Sequence, residues 1–469
     1  MTRKPIMLDS TGRAIEDALL RIGDAMGAGN AQMSFKRMQQ LIREGSIDNY
    51  MAIGDEIEVE KETGLSIAVH TTGSLTATIT ETTWNQHVEH LHHGVYEFKY
   101  DGYAWSEHEL GEGLDLAYYG INVSGTANAD DVIAVTVATV TLVFQYVAKD
   151  AVTLRNPNLT HSAVFQLKNL YRNFQFDAPE ALIYCASKLN AGTTYQIYLY
   201  QNSSGTYYLN ANLQNKYLNF TPTVDVPAGG QLVVSTGDLR NSTSISVLKL
   251  TSYSAKGSTT VIESNIACVE GASGDGSTSL GYANQVANNA NVNHTDRTLY
   301  GSNNWEQSAL RLWLNSDKAA NAWWSAQGNF DRPSANVGVQ GFMYGIEKDF
   351  LNVLQEALTP TVQNWFDGGT TKNTYDKFFV PSNSQIWFNS NNTEGKPWDY
   401  YVEFSDNPSA TTGADSNRIK TLNGNPTYWW TRTPHGSVAD SEYTVTPTGA
   451  YDYNYAHLSF GVAPACVVA

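Results

Sequence analysis

Near its C-terminal end the chain concentrates the residue types of a recognition surface. The interval His435–Phe460 holds Tyr443, Tyr451, Tyr453 and Tyr455, interleaved with Ser437, Asp440, Asp452, Asn454 and His457. Tyrosine supplies a large, rigid contact area at low entropic cost, and small polar residues adapt their hydrogen bonds to a partner. The tyrosines and Phe460 are therefore expected as anchors, and His435, Ser437, Asp440, Asp452, Asn454 and His457 as sources of polar complementarity. Two apolar runs bracket the interval: Tyr428-Trp429-Trp430-Thr431-Arg432-Thr433-Pro434 before it and Gly461-Val462-Ala463-Pro464-Ala465-Cys466-Val467-Val468 after it. They read as fixed strands, with Trp429, Trp430, Arg432, Pro434 and Pro464 as scaffold.

Residues suited to catalysis or metal binding are less organised. Asp331, Glu347, Asp349, Asp376, Glu394, Asp399 and Glu403 are available, but no spacing among them singles out two carboxylates flanking a cleft. No Ser-His-Asp arrangement or metal-ligand motif stands out either. The run His87-Val88-Glu89-His90-Leu91-His92-His93 could place two imidazoles on one strand face for a transition metal. A solvated loop before the strand at Val95 accounts for the same run without a metal, and its spacing matches no zinc module. No metal or cofactor is expected, and the chain reads as a binder, not an enzyme.

The elements that must hold the surface are mostly strands. A chain of 469 residues is expected to divide into several domains. Charged residues make up only 16%, below the usual quarter, while Asn, Ser, Thr, Tyr and Gly are abundant, which suits β-rich domains with polar loops. The spacing of Ile15, Leu19, Ile22 and Met26 predicts a helix over 9–29, and Ser34 caps a second through Phe35, Met38, Leu41 and Ile42. This segment, 1–47, reads as an attachment or oligomerising hairpin, or as an amphipathic pair packed on its own domain. Alternation at Ile57/Val59, Leu65/Ile67/Val69 and Tyr96/Phe98/Tyr100 predicts an antiparallel β domain over 48–155. Within it, Val132–Val147 reads as buried strand in preference to a membrane span. A second β domain is expected over 156–275, closed by the linker Gly271–Ser279. Beyond it, 276–469 is expected to be α+β, with helices at Ser308–Asn315 and Glu347–Leu358 and most of its many Trp in the core. The fold class is thus mainly β, with short N-terminal helices and two sandwich- or jelly-roll-like domains before the α+β one.

The formal net charge of -17 with no basic cluster argues against nucleic acid as a partner. Cys185, Cys268 and Cys466 are odd in number and far apart, which suits folding in a reducing cytoplasm. The first residues, Met1–Asp9, carry positive charge but no apolar core of a signal peptide.

Several ordered motifs in the last part of the chain resemble a known family. They are Tyr300-Gly-Ser-Asn-Asn-Trp305 with Ser308-Ala-Leu-Arg-Leu-Trp313-Leu-Asn315, Asp376-Lys-Phe-Phe-Val-Pro381-Ser382, Arg418-Ile-Lys420, Trp429-Trp430-Thr-Arg432-Thr-Pro434 and Gly461-Val-Ala-Pro464-Ala-Cys466. Together, over about 276–469, they resemble an uncharacterised domain of phage and prophage proteins. That domain is similar in turn to the C-type-lectin-like fold of formylglycine-generating enzymes and of the variable proteins of diversity-generating retroelements. The region 75–135, with Tyr96-Glu-Phe-Lys-Tyr100-Asp-Gly, also resembles a module of phage structural proteins. Two departures narrow the functions that the resemblance implies. The enzymatic relatives use active-site cysteines, and this part of the chain has only Cys466. The Glu-Pro-Asn and Trp-Asn-Asp motifs of calcium-dependent sugar binding are absent as well.

The resemblance implies a phage virion protein, assembled in the bacterial cytoplasm and exposed on the particle, whose lectin-like end binds a host-cell surface protein or glycan. The N-terminal region would contact other virion proteins, and the particle protein would be a homo-oligomer, a trimer being compatible with a fibre. Neither nucleic acid nor membrane insertion enters this expectation. Variable proteins are diversified by replacing adenines in AAC or AAT codons, which never yields Lys, Trp, Met, Gln or Glu. Within His435–Phe460 only Glu442 belongs to that excluded group. A glycan-acting tail-spike enzyme and an architectural head or tail decoration protein remain the alternatives.

Overall fold

The computed structural model describes residues 33–88, 94–108, 110–180, 297, 300–327, 331–388, 393–406 and 413–469, together with short pieces between 183 and 268. The helix expected at 9–29 and the imidazoles of His90, His92 and His93 lie outside the described residues. The structure is mainly β, built from several antiparallel sheets with few, short helices.

In chain order the first strands are β1 (Glu56–His70), β2 (Thr76–Ile79), β3 (Gly94–Tyr100), β4 (Trp105–Glu107), β5 (Gly111–Glu112), β6 (Ile121–Ser124), β7 (Val132–Lys149), β8 (Ala163–Leu167) and β9 (Asn173–Gln175). β1 and β7 form one long antiparallel ribbon, from Glu56 opposite Gln145 to His70 opposite Val132. Between Glu62 and Gly64 the register shifts by one residue of β1. Successive strand residues face opposite sides, so a strand without an insertion serves two faces. β7 accordingly sends Leu142, Phe144 and Tyr146 into the larger core, and Ile133, Val135 and Val137 into a smaller one with Trp84, Phe98 and Ile121. The ribbon is thus common to both cores. β3 covers the first part of the other edge of β7, and β8 covers the last part.

The next strands, β10 (Ile183–Cys185), β11 (Tyr195–Gln201), β12 (Tyr207–Leu209), β13 (Lys216–Phe220), β14 (Gln231–Val234), β15 (Leu248–Leu250) and β16 (Ile266–Cys268), make two sheets of their own, ordered β15-β14-β10-β16 and β12-β11-β13. The remainder are β17 (Leu354–Gln355), β18 (Ala357–Val362), β19 (Thr371–Asp376), β20 (Phe378–Phe379), β21 (Thr421–Leu422), β22 (Asn425–Pro426), β23 (Trp429–Pro434), β24 (Ser441–Val445), β25 (Tyr451–Tyr455), β26 (Ser459–Gly461) and β27 (Ala465–Val468).

The sheets cross the boundary expected at 155/156. β8 lies between β7 and β27, and β9 pairs with β26. The reason is burial: all five residues of β8 are buried, so this strand needs a neighbour on both edges and cover on both faces. The closing strand β27 provides one of those neighbours, so residues 163–175 are built into the C-terminal half of the chain.

The helices are shorter than their apolar patterns. Phe35–Arg43 begins at Ser34, whose hydroxyl accepts the Arg37 N–H at 3.3 Å, and buries Met38, Leu41 and Ile42. Its Phe35 ring lies 5.0 Å from Phe350, so this helix packs on the chain's own core. Ala309–Leu314 starts at Ser308 as expected, with the Arg311 N–H donating to its hydroxyl at 3.1 Å. The helix expected over Glu347–Leu358 ends at Val353, and the chain continues as β17 and β18. Of the expected stripe Leu354 is buried as a strand residue opposite Val468, whereas Leu358, opposite Tyr375, is half-buried and the neighbouring Ala357 takes the inward place. Pro360 and the β-branched Thr359, Thr361 and Val362 favour that extended path.

Candidate functional site

The five-stranded sheet β25-β24-β23-β26-β9 carries the recognition interval at one edge. β23 is its anchor: Trp429 and Trp430 are fully buried, and their indole N–H groups donate to Arg418 O at 3.0 Å and Phe174 O at 2.8 Å. Arg432 is buried as well. Its guanidinium donates to Val380 O at 2.9 Å, Gln385 Oε1 at 2.7 Å and Glu394 O at 2.8 Å, tying three points of the connection that follows β20 to the strand. Burial pulls the Arg432 pKa down to about 10, against the pull of Glu394, Asp376 and Glu442.

β24 and β25 form a hairpin on this anchor, with Tyr443 opposite Tyr453. Three turns aim it. Before β24, Asn303 Nδ2 donates to Val438 O at 2.9 Å and Ser441 O at 2.8 Å, and Arg297 Nε donates to Ala439 O at 3.2 Å. Between the strands, the Thr446 N–H donates to Ala450 O at 2.7 Å and Arg418 Nη1 donates to Gly449 O at 3.2 Å. Gly449 has φ +78°, and a Cβ there would lie 2.0 Å from Asp415 O, so only glycine fits. After β25, the Ala456 N–H donates to Asp440 O at 2.8 Å and the His457 N–H to Tyr300 O at 2.7 Å. The hairpin is therefore held at both ends and at its tip.

Period two then separates the expected contact residues. Tyr451, Tyr453 and Tyr455 share one face of the edge strand and are exposed by 40%, 51% and 42%. Tyr443 joins them from β24, with ring centroids 5.8 Å from Tyr451 and 6.4 Å from Tyr453. His435 lies 4.4 Å from Tyr453, and its Nδ1 is 3.2 Å from the hydroxyl of the exposed Ser437. At the far end Tyr455 stacks on Tyr300 at 3.9 Å and 11°, beside His457. Burial holds both imidazoles below the ordinary histidine pKa, opposed by Asp440 at His435 and by the Tyr300 carbonyl at His457. The face is thus a strip of neutral rings. An open groove of about 430 Å³ runs beneath its end, lined by Tyr300, Val438, Asp440, Tyr453, Asn454 and Tyr455.

Asp440, Asp452, Asn454 and Phe460 are placed differently. Asp440 is buried and accepts the Ser441 hydroxyl at 2.8 Å. Asp452 and Asn454 occupy the other face of β25, where Asn454 donates to Thr444 Oγ1 at 2.9 Å. Phe460 packs against Trp430 and Tyr428, on β26. Three strand spacings separate β26 from β25, roughly 14 Å, so Phe460 belongs to the frame. Tyr300 is a member of the face that lies far away in sequence, and only the fold brings it beside Tyr455.

Beneath the face lies Glu442, opposite Asn454 and fully buried. Neither carboxylate oxygen has a hydrogen-bond partner among the described residues. Burial pushes its pKa well above the ordinary carboxylate value and Glu394 adds to the rise, while Arg432 opposes it. The other acidic residues serve as links in separate elements. Asp376 pairs with Arg311 at 2.7 Å, Asp399 accepts the Lys149 N–H at 3.0 Å, and Glu347 accepts the Glu60 N–H at 2.9 Å. Among the described residues no group of three or more His, Cys, Asp or Glu is arranged to hold a metal ion.

Residues 256–469, somewhat under half of the chain, match a family described as a domain of unknown function, DUF6273. The match contains every strand of the recognition hairpin and the anchor β23, but not β8 and β9, which complete the two sheets. No curated protein and no solved structure matches the chain.

Proposed function

We propose that the chain is a phage virion protein whose C-terminal, C-type-lectin-like domain presents the β24–β25 hairpin to a ligand on the host-cell surface, protein or glycan. The observation that carries the reading is the row of Tyr451, Tyr453 and Tyr455, half-exposed on an edge strand whose turns are pinned by Asn303, Arg297, Arg418 and the Tyr300 carbonyl. Exposed tyrosines on rigid backbone are the anchors that binding surfaces use, because little entropy is lost when they are covered. The same geometry is compatible with diversification of the hairpin. Glu442, outside the reach of adenine replacement, is buried, whereas His435, Ser437, Tyr443, Tyr451, Tyr453 and Tyr455 reach the surface. A homo-oligomer on the particle surface, joined to other virion proteins through its N-terminal region, completes the proposal.

The test is the triple substitution of Tyr451, Tyr453 and Tyr455 by Ala. Removal of exposed rings leaves the melting temperature nearly unchanged, while adsorption of particles carrying the variant to host cells falls by at least about tenfold. Unchanged adsorption overturns the receptor-binding reading. For diversification, the neighbouring DNA is expected to hold a near-copy of the Thr427–Ala469 codons with adenines at the exposed positions, beside a reverse-transcriptase gene.

A further inference from the structure

On the other side of Tyr443 the surface holds a second groove, of about 260 Å³, that shares only that residue with the tyrosine strip. We propose that this groove is a calcium-independent subsite for one neutral sugar ring, with Trp365 as the platform on which the ring stacks.

Trp365 is 67% exposed, whereas Trp305, Trp313, Trp398, Trp429 and Trp430 are fully buried. Its indole does not sit on a loose loop. The Trp365 backbone N–H donates to Gly436 O at 2.9 Å, and the nearby Asp367 is fixed by Asn364 Nδ2 at 2.7 Å and by an ion pair with the buried Arg297. The backbone beneath the indole is thus held in place, and the exposed ring lines the groove as a face on which a ligand ring can stack.

The walls are polar and incompletely engaged. Gln363, Asn383 and Ser384 are each more than nine-tenths buried and line the groove. Gln363 Oε1 accepts from Thr370 and Asn383 Oδ1 accepts from Thr431. No hydrogen bond among the described residues engages Gln363 Nε2, Asn383 Nδ2 or the Ser384 hydroxyl. These atoms open onto the groove, where the hydroxyls of a ligand can take the place of water as their partners.

Charge selects the ligand class. Among the described residues no Lys or Arg lines the groove, so an anion finds no counter-charge in them. Glu394 is the one carboxylate among the described lining residues, and both oxygens are already occupied, by the Val362 N–H at 2.7 Å and by the Thr433 hydroxyl. A metal cation would need more ligands than this. An aromatic face beside free amide and hydroxyl groups, without net charge, matches a ring that has C–H groups on one face and hydroxyls around its rim. The volume lies just below the roughly 300 Å³ at which pockets for drug-sized molecules begin, which suits a single ring.

The experiment titrates the purified protein with the methyl glycosides of glucose, galactose, mannose and N-acetylglucosamine, read by saturation-transfer NMR and tryptophan fluorescence. At least one is expected to bind with a dissociation constant on the order of millimolar, as a small ligand does, and EDTA leaves the value unchanged. Trp365→Ala weakens binding by about tenfold or more and Ser384→Ala by about three- to tenfold, with near-unchanged melting temperatures. The Tyr451/Tyr453/Tyr455 alanine variant keeps full sugar binding, so failure of the receptor-binding reading and failure of this one are separable. Absence of binding across the panel, insensitivity to both Trp365→Ala and Ser384→Ala, loss in EDTA, or binding of tetramethylammonium in place of the glycosides each overturns the proposal.

Discussion

Replacing Glu442 by Gln is expected to stabilise the C-terminal half at neutral pH and to leave it nearly unchanged in mild acid. The carboxyl is fully buried, its oxygens have no hydrogen-bond partner among the described residues, and Glu394 adds like charge. Its folded pKa therefore lies above the ordinary 4.5. The sign comes from proton counting: above pH 4.5 the unfolded chain releases the proton while the folded chain retains it. The favourable contribution of the neutral form is complete below 4.5 and is lost as pH rises toward the folded pKa. Each pH unit between 4.5 and the folded pKa removes at most about 1.4 kcal/mol. Glutamine keeps the shape and cannot ionise, so the variant escapes this loss. Near pH 4.5 the two proteins should differ by less than about 1 kcal/mol, because each buries one neutral polar group. As pH rises from 4.5 the variant's C-terminal transition should climb above that of the parent, by about 2–4 °C for each kcal/mol that the ionising carboxyl loses. Scanning calorimetry from pH 4.5 to 7.5 provides the curve, and hydrogen exchange at the β24 and β25 amides assigns it to the hairpin. A variant less stable at pH 6.5, or a difference that does not widen with pH, refutes the assignment of Glu442 as a buried, unpartnered acid.

Two further substitutions test the frame. Gly449→Ala places a Cβ 2.0 Å from Asp415 O at a residue with φ +78°, and a loss of about 2–4 kcal/mol is expected in denaturant titration, with faster exchange at Tyr451–Tyr455. Lys420 is fully buried and donates to Leu167 O at 2.7 Å and Lys168 O at 3.0 Å, and burial brings its pKa down to about 7. Its contribution is therefore complete above 10.5, the ordinary lysine value, and is lost as pH falls through about 7. Lys420→Met should flatten the rise of stability between pH 7 and 9, and an unchanged slope refutes the buried-lysine account.

Local pattern made much of this structure legible. The alternation at Ile57/Val59 and Leu65/Ile67/Val69 marks β1, and the β-branched run from Val132 marks β7, because half-buried strands need those residues. Ser34 and Ser308 mark helix starts because each hydroxyl accepts an N–H three residues ahead. What local pattern does not carry is partnership across the chain. Nothing near Ala163–Leu167 says that β27 is its neighbour, and so a boundary at 155/156 cuts through a sheet. The apolar stripe through Phe350, Leu351 and Leu354 fits a helix as well as a helix turning into a strand, and β27 and Leu154 decide between them.

The recognition interval divides along the same line. Composition marks His435–Phe460 as a contact surface, but composition has no faces. The hairpin register supplies them: Tyr443 and Tyr453 meet on the outer side, while Glu442 and Asn454 meet on the inner side. Residues of one type of chemistry are thereby assigned opposite tasks, one set to a partner and the other to the frame. Any process that rewrites this hairpin for new partners has to respect that alternation. A change at 451, 453 or 455 replaces a half-exposed ring, whereas a change at 442 or 444 alters a buried contact above Arg432 and Thr431. Along β24 tolerance to substitution should therefore peak at Tyr443, whose four neighbours in the strand are all buried. At the edge strand it should be greatest at the three tyrosines, where one side of the strand has no neighbour among the described residues.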